Sequence, residues 1–285
     1  MKAWVVAKNG MVGIDMCRLL EMKGIDFVAS SHSQADVSDL AALEHFYQAH
    51  EPDTIFNCSA NVNVDDAEGK EKDLAYQVNV RGVANLAHLA KKHQLKLIHI
   101  STDYVFDGMA DHDYLESDEV NPINVYGKTK LEGEQKMFEI YPEAVSVRTS
   151  FLYGTGKEGH ITSIIRQLRE KESINGVTDQ ISSPTYTRDL VNALYDLRDQ
   201  RGIFNFANSG APSRFEVVQE IKAILESKMV SLKNREIRSL TRDELGRPAK
   251  RPARTILSLE KVKPFLSHPI RSWQEALREY IEEIL

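Results

Sequence analysis

The sequence predicts an α/β fold: a doubly wound parallel sheet, with a smaller lobe formed by the C-terminal half. Short apolar runs alternate with amphipathic stretches of helical period through the first half of the chain. A glycine turn, Ala7-x-x-Gly10-x-x-Gly13, joins the first run to the first helical stretch. The run Leu97–Ile100 ends in the hydroxyls of Ser101 and Thr102, as a buried strand does at the mouth of such a sheet.

The elements follow in order. Residues 3–7 read as a strand, and a helix runs from the glycine turn through Met22, with Gly24 as its C-terminal glycine. A second strand covers 27–29. A helix over 38–50 has Ser38 as N-cap and Leu40, Leu43, Phe46 and Tyr47 on one face. Pro52-Asp53 leads into a strand at 54–58, a long helix covers about Leu74 to His93, and a strand follows at 95–100. The spacing of Tyr126 and Lys130 sets both on one face of a further helix, and 145–148 reads as a strand. The second half holds helices near 161–170, 187–199, 213–227 and 272–284, with one more sheet strand at 202–207. The basic, proline-bearing stretch 235–252 reads as a loop. The expected division is a dinucleotide-binding domain of residues 1–150, rejoined by about 187–207, and a discontinuous lobe, mostly 151–285, for the substrate.

A chain of 285 residues can bury a large core. Its net charge of −6 argues against nucleic-acid polymers as partners. Cys17 and Cys58 have no metal-ligand spacing and read as small buried apolar residues, and no metal site is expected. No apolar run reaches the roughly 18 residues of a membrane helix. The start Met1–Ala7 lacks a signal-peptide core, so a cytoplasmic protein without membrane contact is expected.

At the first turn, glycines let the backbone approach a pyrophosphate drawn to the helix N-terminus, which makes Gly10, Met11 and Val12 cofactor candidates. Ala7 stands where the fuller pattern has its first glycine. The second strand ends in Ser30-Ser31-His32, with no acid for a ribose 2′-hydroxyl. Lys8 either meets a 2′-phosphate, favouring NADPH over NADH, or faces solvent. Asp36 and Val37 either contact adenine or close a turn. Ser59, Ala60, Asn61 and Val62 leave room at a strand end for a ligand, or simply pack tightly. Ile100 precedes the hydroxyl pair and joins the cofactor set.

Tyr126 is too weakly acidic to exchange a proton freely, and a cation one helical turn away, Lys130, would lower its pKa. Lys130 can also reach a nicotinamide ribose, and Thr102 can hold a substrate oxygen.

The stretches Ser101–Gly108 and Asn124–Glu134, with Val64–Glu68, Arg148–Ser150 and Asp179–Thr185, resemble the extended short-chain dehydrogenases/reductases, and within them the dTDP-4-dehydrorhamnose reductase family. The resemblance covers nearly the whole chain. It implies a Rossmann-type domain binding NADPH or NADH, and a C-terminal lobe binding a nucleotide sugar whose C4 keto group is reduced. Thr102, Tyr126 and Lys130 then match the catalytic trio, and Asp103 a substrate contact. Phe151 stands where the family packs a tryptophan on the substrate, and Arg254 falls where its Arg-Pro-x-Asn-Ser run has asparagine, where an arginine could grip a diphosphate. Asp15 matches a position that binds an interface metal in some members, and the resemblance leaves room for a homodimer. Two rivals remain: a dinucleotide-binding regulatory subunit like that of methionine adenosyltransferase, and a nucleotide-sugar epimerase or dehydratase. The intact trio weighs against the first, and Tyr104 following Asp103 weighs against a dehydratase's acidic pair.

Overall fold

In the computed structural model, which describes residues 1–156 and 158–285, strand β1 (Lys2–Val6) sends Ala3 and Val5 to one face and Trp4 and Val6 to the other. All four are buried, as in a strand covered on both sides. The chain continues through α1 (Met11–Met22), β2 (Asp26–Ser30), α2 (Leu40–His50), β3 (Thr54–Asn57), α3 (Lys72–Tyr76) and α4 (Val83–His93). Then come β4 (Lys96–Thr102), α5 (Val125–Ile140) and β5 (Val145–Thr149). These strands and β9 (Gly202–Asn205) form one parallel sheet in the order β2-β1-β3-β4-β5-β9.

The order reverses between β1 and β3, the switch point where ligands of doubly wound sheets bind at the strands' carboxyl ends. Helices α1 and α7 (Thr187–Asp196) pack on the Ala3–Val5 face through Met16, Leu20, Leu190 and Leu194. Helices α2, α4 and α5 cover the other face through Leu43, Phe46, Leu86 and Met137. This is the Rossmann-type arrangement the alternation predicts.

The remaining elements gather around a separate core. They are β6 (Leu152–Tyr153), α6 (His160–Glu170), β7 (Ser173–Val177), β8 (Thr185–Tyr186), α8 (Arg214–Ser227), β10 (Glu236–Leu240), α9 (Arg242–Leu245) and α10 (Trp273–Ile284). Here β6 pairs with β8 and β7 with β10, while Ile161, Ile221, Leu277 and the stacked rings of Tyr153 and Tyr186 fill the interior.

Three expectations need correction. Helix α2 is capped by Asp39, which accepts from the Ala41 and Ala42 N–H groups, because Ser38 is already held by Asp36 Oδ1 through both its N–H and its hydroxyl. Leu40 accordingly lies outside the buried face. The long helix before β4 is broken by a π-helical segment, Gln77–Gly82. Its Asn79 carbonyl sits so close to α5 that a Cβ on Gly133 would come within 1.9 Å of it, so only glycine fits there. The stretch 235–252 is not a plain loop; it supplies β10 and α9. Strand β10 is mostly exposed and carries Glu236 and Arg238, so no apolar alternation announces it.

Candidate active site

Strand β4 ends at Thr102, whose hydroxyl accepts from the Tyr104 N–H (3.2 Å) and donates to Asp103 Oδ1 (3.1 Å). Helix α5 starts one residue before Tyr126, capped by Asn124 through the Gly127 N–H at 2.7 Å. The cap fixes the first turn, and with it the tyrosine. The Tyr126 ring meets Tyr104 edge-on at 5.9 Å, and its phenol is close enough to the Thr102 hydroxyl for that group to act on its pKa. One turn on, Lys130 is 2 % exposed and donates to the Ile100 carbonyl at 2.6 Å. Thr102, Tyr126 and Lys130 thus meet at one corner.

The electrostatics differ from the expectation in one respect. Burial raises the Tyr126 pKa above its ordinary value, with Thr102 opposing, and Lys130 does not depress it. The lysine points back to β4, and burial pushes its own pKa down to about 8 against the attraction of Glu134. Asp103 is buried as well. Its Oδ2 accepts from Ser150 (3.0 Å) and from Thr255, and burial raises its pKa. Its contacts are with the chain itself, steadying Thr102.

The cofactor candidates line the switch point. Helix α1 begins at Met11 after Gly10 with no side-chain cap, whereas α2, α5, α8 and α10 each have one. Among the described residues, the N–H groups of its first turn, Met11 and Val12 among them, therefore have no side-chain partner. A Cβ on Gly13 would fall 2.3 Å from the Ala7 carbonyl, so the turn closes only with glycine, and Ala7 itself has φ 64°. Lys8 stands in that turn, and its N–H donates to the Ser30 carbonyl. Beside it, Asp36 closes a turn onto Ser38 and Val37 is buried against Gly82. After β3, Ser59 and Ala60 are half-buried, Val62 is 64 % exposed, and Asn61 is tied to Asn79 (2.9 Å) and Glu71 (2.8 Å). The residues present fit a dinucleotide.

Next to the corner opens a cavity of about 550 Å³, lined by Tyr104, Phe151, His160, Gln180, Arg214, Arg247 and Arg251 among others. The Arg214 guanidinium carbon lies 3.2 Å from the Phe151 ring centre, and among the described residues its Nη1 is buried without a partner. Burial and the neighbouring Arg214, Arg247 and Arg251 push the His160 pKa down to about 4, which marks the groove as positive. Arg251 grips Asp65 through both terminal nitrogens and Gln180 donates to the Tyr104 hydroxyl at 3.1 Å, so both tie the C-terminal lobe to the corner. Arg254, a candidate for a diphosphate, does not line this cavity; it is bound to Asp113 and the His112 carbonyl. Asp15 accepts from Arg18, Thr155 and Thr187, which leaves it buried and fully engaged. Among the described residues, no group of three or more His, Cys, Asp or Glu side chains is placed to hold a metal, and no helix is long and apolar enough to cross a membrane.

Sequence reasoning missed Arg214, His99 and Asn79. An arginine in a helix's first turn reads as surface, a lone histidine in a strand as core, and an asparagine in a helix as a solvent contact.

The RmlD substrate binding domain model matches residues 1–285. The dTDP-4-dehydrorhamnose reductase of Mycolicibacterium smegmatis is 37 % identical over 287 residues, covering 99 % of this chain and 85 % of that protein. The spore coat polysaccharide biosynthesis protein SpsK of Bacillus subtilis is 34 % identical, covering 99 % and 97 %. A crystal structure of dTDP-4-dehydrorhamnose reductase from Bacillus anthracis in complex with NADP superposes with a TM-score of 0.92 at 31 % identity, covering 99 % of each chain. With its glycine turn, hydroxyl-ended strand and Tyr126–Lys130 helix, this chain belongs to the RmlD family, the family of the dTDP-4-dehydrorhamnose reductases.

Proposed function

We propose that this protein is an NADPH-dependent reductase of the C4 keto group of a nucleotide-activated 6-deoxysugar, namely dTDP-4-dehydro-L-rhamnose, giving dTDP-L-rhamnose. The observation that carries this reading is the meeting of Thr102, Tyr126 and Lys130 beside an arginine-lined cavity of about 550 Å³. The reductase of M. smegmatis and the NADP complex from B. anthracis supply the substrate and cofactor class.

When bound, the reduced nicotinamide supplies a hydride to the keto carbon. Gly10, Met11 and Val12 would hold its pyrophosphate at the uncapped start of α1, with Lys8 near a 2′-phosphate. Asp36 and Val37 would flank the adenine, and Ser59 to Val62 and Ile100 the remaining edge. Tyr126 gives its proton to the oxygen that becomes the C4 hydroxyl. Its raised pKa keeps that proton in place at neutral pH until the alkoxide claims it. Thr102 orients the keto oxygen, and Asp103, closed in by Ser150 and Thr255, fixes Thr102. Phe151 and Arg214 form the cavity wall against the sugar and its diphosphate.

Residues 1–150, with 187–207, form the cofactor domain in this reading, and most of 151–285 forms the substrate lobe. The free thiols of Cys17 and Cys58 accord with a reducing, cytoplasmic setting. A homodimer is compatible with the same reading, and a solution mass would decide it.

The test is oxidation of NADPH, and separately NADH, with dTDP-4-dehydro-L-rhamnose generated in situ. Tyr126→Phe should lower turnover by about 10²-fold or more while cofactor affinity holds. Near-full activity in that variant would sink the assignment.

A further inference from the structure

Behind the corner, a line of hydrogen bonds fixes where the protons sit. The Ser59 backbone N–H donates to Asn57 Oδ1 at 3.0 Å, and the Ser59 hydroxyl donates to the same oxygen at 2.6 Å. A backbone N–H can only donate, so this contact decides which end of the Asn57 amide is oxygen. The amide nitrogen therefore faces His99 Nδ1, 3.0 Å away, and donates to it. Nδ1 must offer its lone pair, which leaves the imidazole proton on Nε2. That N–H points at Lys130 Nζ, 3.3 Å distant, while Nζ donates to the Ile100 carbonyl at 2.6 Å.

An ammonium has three donors and no lone pair, whereas a neutral amine has one lone pair to accept with. With His99 at 0 % and Lys130 at 2 % exposure, no solvent relieves two donors that face each other. The geometry points to His99, locked in its Nε2–H tautomer by Asn57, as a positioning residue that favours the uncharged amine of Lys130 in the cofactor-free enzyme. The direction of the other forces agrees. Burial pushes the Lys130 pKa down to about 8, and burial with the nearby Lys130 holds His99 neutral.

The titratable and charged groups around Lys130 are few. Tyr126 and Glu134 share its helix, His99 faces it from β4, and Asp103 follows that strand. Glu134 is the one pulling Lys130 towards the charged form, and it is itself neutralised by Arg148 of β5 at 2.6 Å.

The kinetic consequence rests on the reductase reading, with the Lys130 ammonium donating to the nicotinamide ribose: activity should fall at alkaline pH as Lys130 loses its proton, well below the ordinary lysine range near 10. Asn57→Asp reverses the tautomer. A carboxylate accepts from Ser59 and from His99 Nδ1–H, so Nε2 becomes an acceptor for the Lys130 ammonium. The alkaline limb of kcat/KM should then move up by about one pH unit or more.

The direct test needs no substrate. Nitrogen-15 histidine NMR of the cofactor-free protein should show His99 protonated at Nε2 and bare at Nδ1. A carbon-13 lysine titration should show Lys130 with a midpoint near 8, shifted up in Asn57→Asp. A proton on His99 Nδ1, or a Lys130 midpoint that does not move in Asn57→Asp, would overturn the proposal. If that variant does not fold, the wild-type tautomer still decides. Absence of turnover with every keto-sugar would instead count against the reductase reading, leaving the NMR result to judge His99 by itself.

Discussion

The sheet half and the C-terminal groove both bury arginines, and they treat them in opposite ways. In the sheet, Arg148 and Glu134 are 3 % and 2 % exposed, joined at 2.6 Å, with Ser146 adding a bond at 2.8 Å to the same carboxylate. That buried charge pair is answered by the chain itself. In the groove, Arg214 lies over Phe151 with Nη1 buried and, among the described residues, unpartnered, and Arg247 and Arg251 share the carboxylate of Asp65. A buried ion pair inside the fold is matched by the chain's own groups. A recognition surface keeps donors open for what it binds.

The sharpest way to break this contrast is to remove one arginine from each side. Arg148→Met leaves the buried Glu134 carboxylate without its counter-charge, held only by Ser146, and stability should fall by about 3–5 kcal/mol, read as a lower denaturant midpoint. Arg214→Met keeps the stem and removes the guanidinium with its unpartnered Nη1. Stability should hold or rise slightly, while KM for the nucleotide sugar should rise by about 10-fold or more, as for a lost charged hydrogen bond. If both variants lose stability alike, Arg214 is a structural residue and the two regions do not differ in kind.

The same contrast explains what the sequence discloses. The sheet half was legible because its cause is local: β1 must bury both faces, so Ala3 to Val6 are all apolar, and the i, i+4 spacing of Tyr126 and Lys130 already marks one face of α5. The groove is assembled from residues far apart in sequence. Gln180 reaches Tyr104 across 76 positions and Arg251 reaches Asp65 across 186, and no periodicity encodes such meetings. Strand β10 escaped notice because its single partner, β7, leaves it mostly exposed. Direction of charge also eluded the spacing argument. Lys130 is near enough to Tyr126 in sequence, but its nitrogen turns to Ile100, and burial then governs both groups.

A smaller effect sharpens the comparison through pH. Arg251 holds the Asp65 carboxyl down to about 2, from an ordinary value near 4. A depressed folded pKa adds stability that is fully present above the unfolded pKa and fades as pH falls through the folded one. The advantage of wild type over Asp65→Asn should therefore be constant near neutrality and shrink between about pH 4 and pH 2. The loss should be modest, since Asp65 is 28 % exposed and water screens the pair. An advantage that persists below pH 2 would show that the ion pair is not its source.

The smallest expected change compares two strained residues, one in each region. Ala7 has φ 64° in the cofactor turn and Phe151 has φ 43° at the end of β5, both in the left-handed region that non-glycine residues pay about 1–2 kcal/mol to enter. Ala7→Gly removes that strain and adds unfolded-state freedom of about 0.4–1 kcal/mol, so the net gain should stay between about 0 and 1.6 kcal/mol, with NADPH affinity unchanged. At Phe151 the strained backbone presents the ring on which Arg214 lies, so relief and function are coupled. Phe151→Gly should relax the same torsion and raise KM for the sugar nucleotide, whatever it does to stability. Equal kinetics in the two glycine variants would mean that the strain at Phe151 serves only the turn, and the stack with Arg214 would lose its claim to shape the groove.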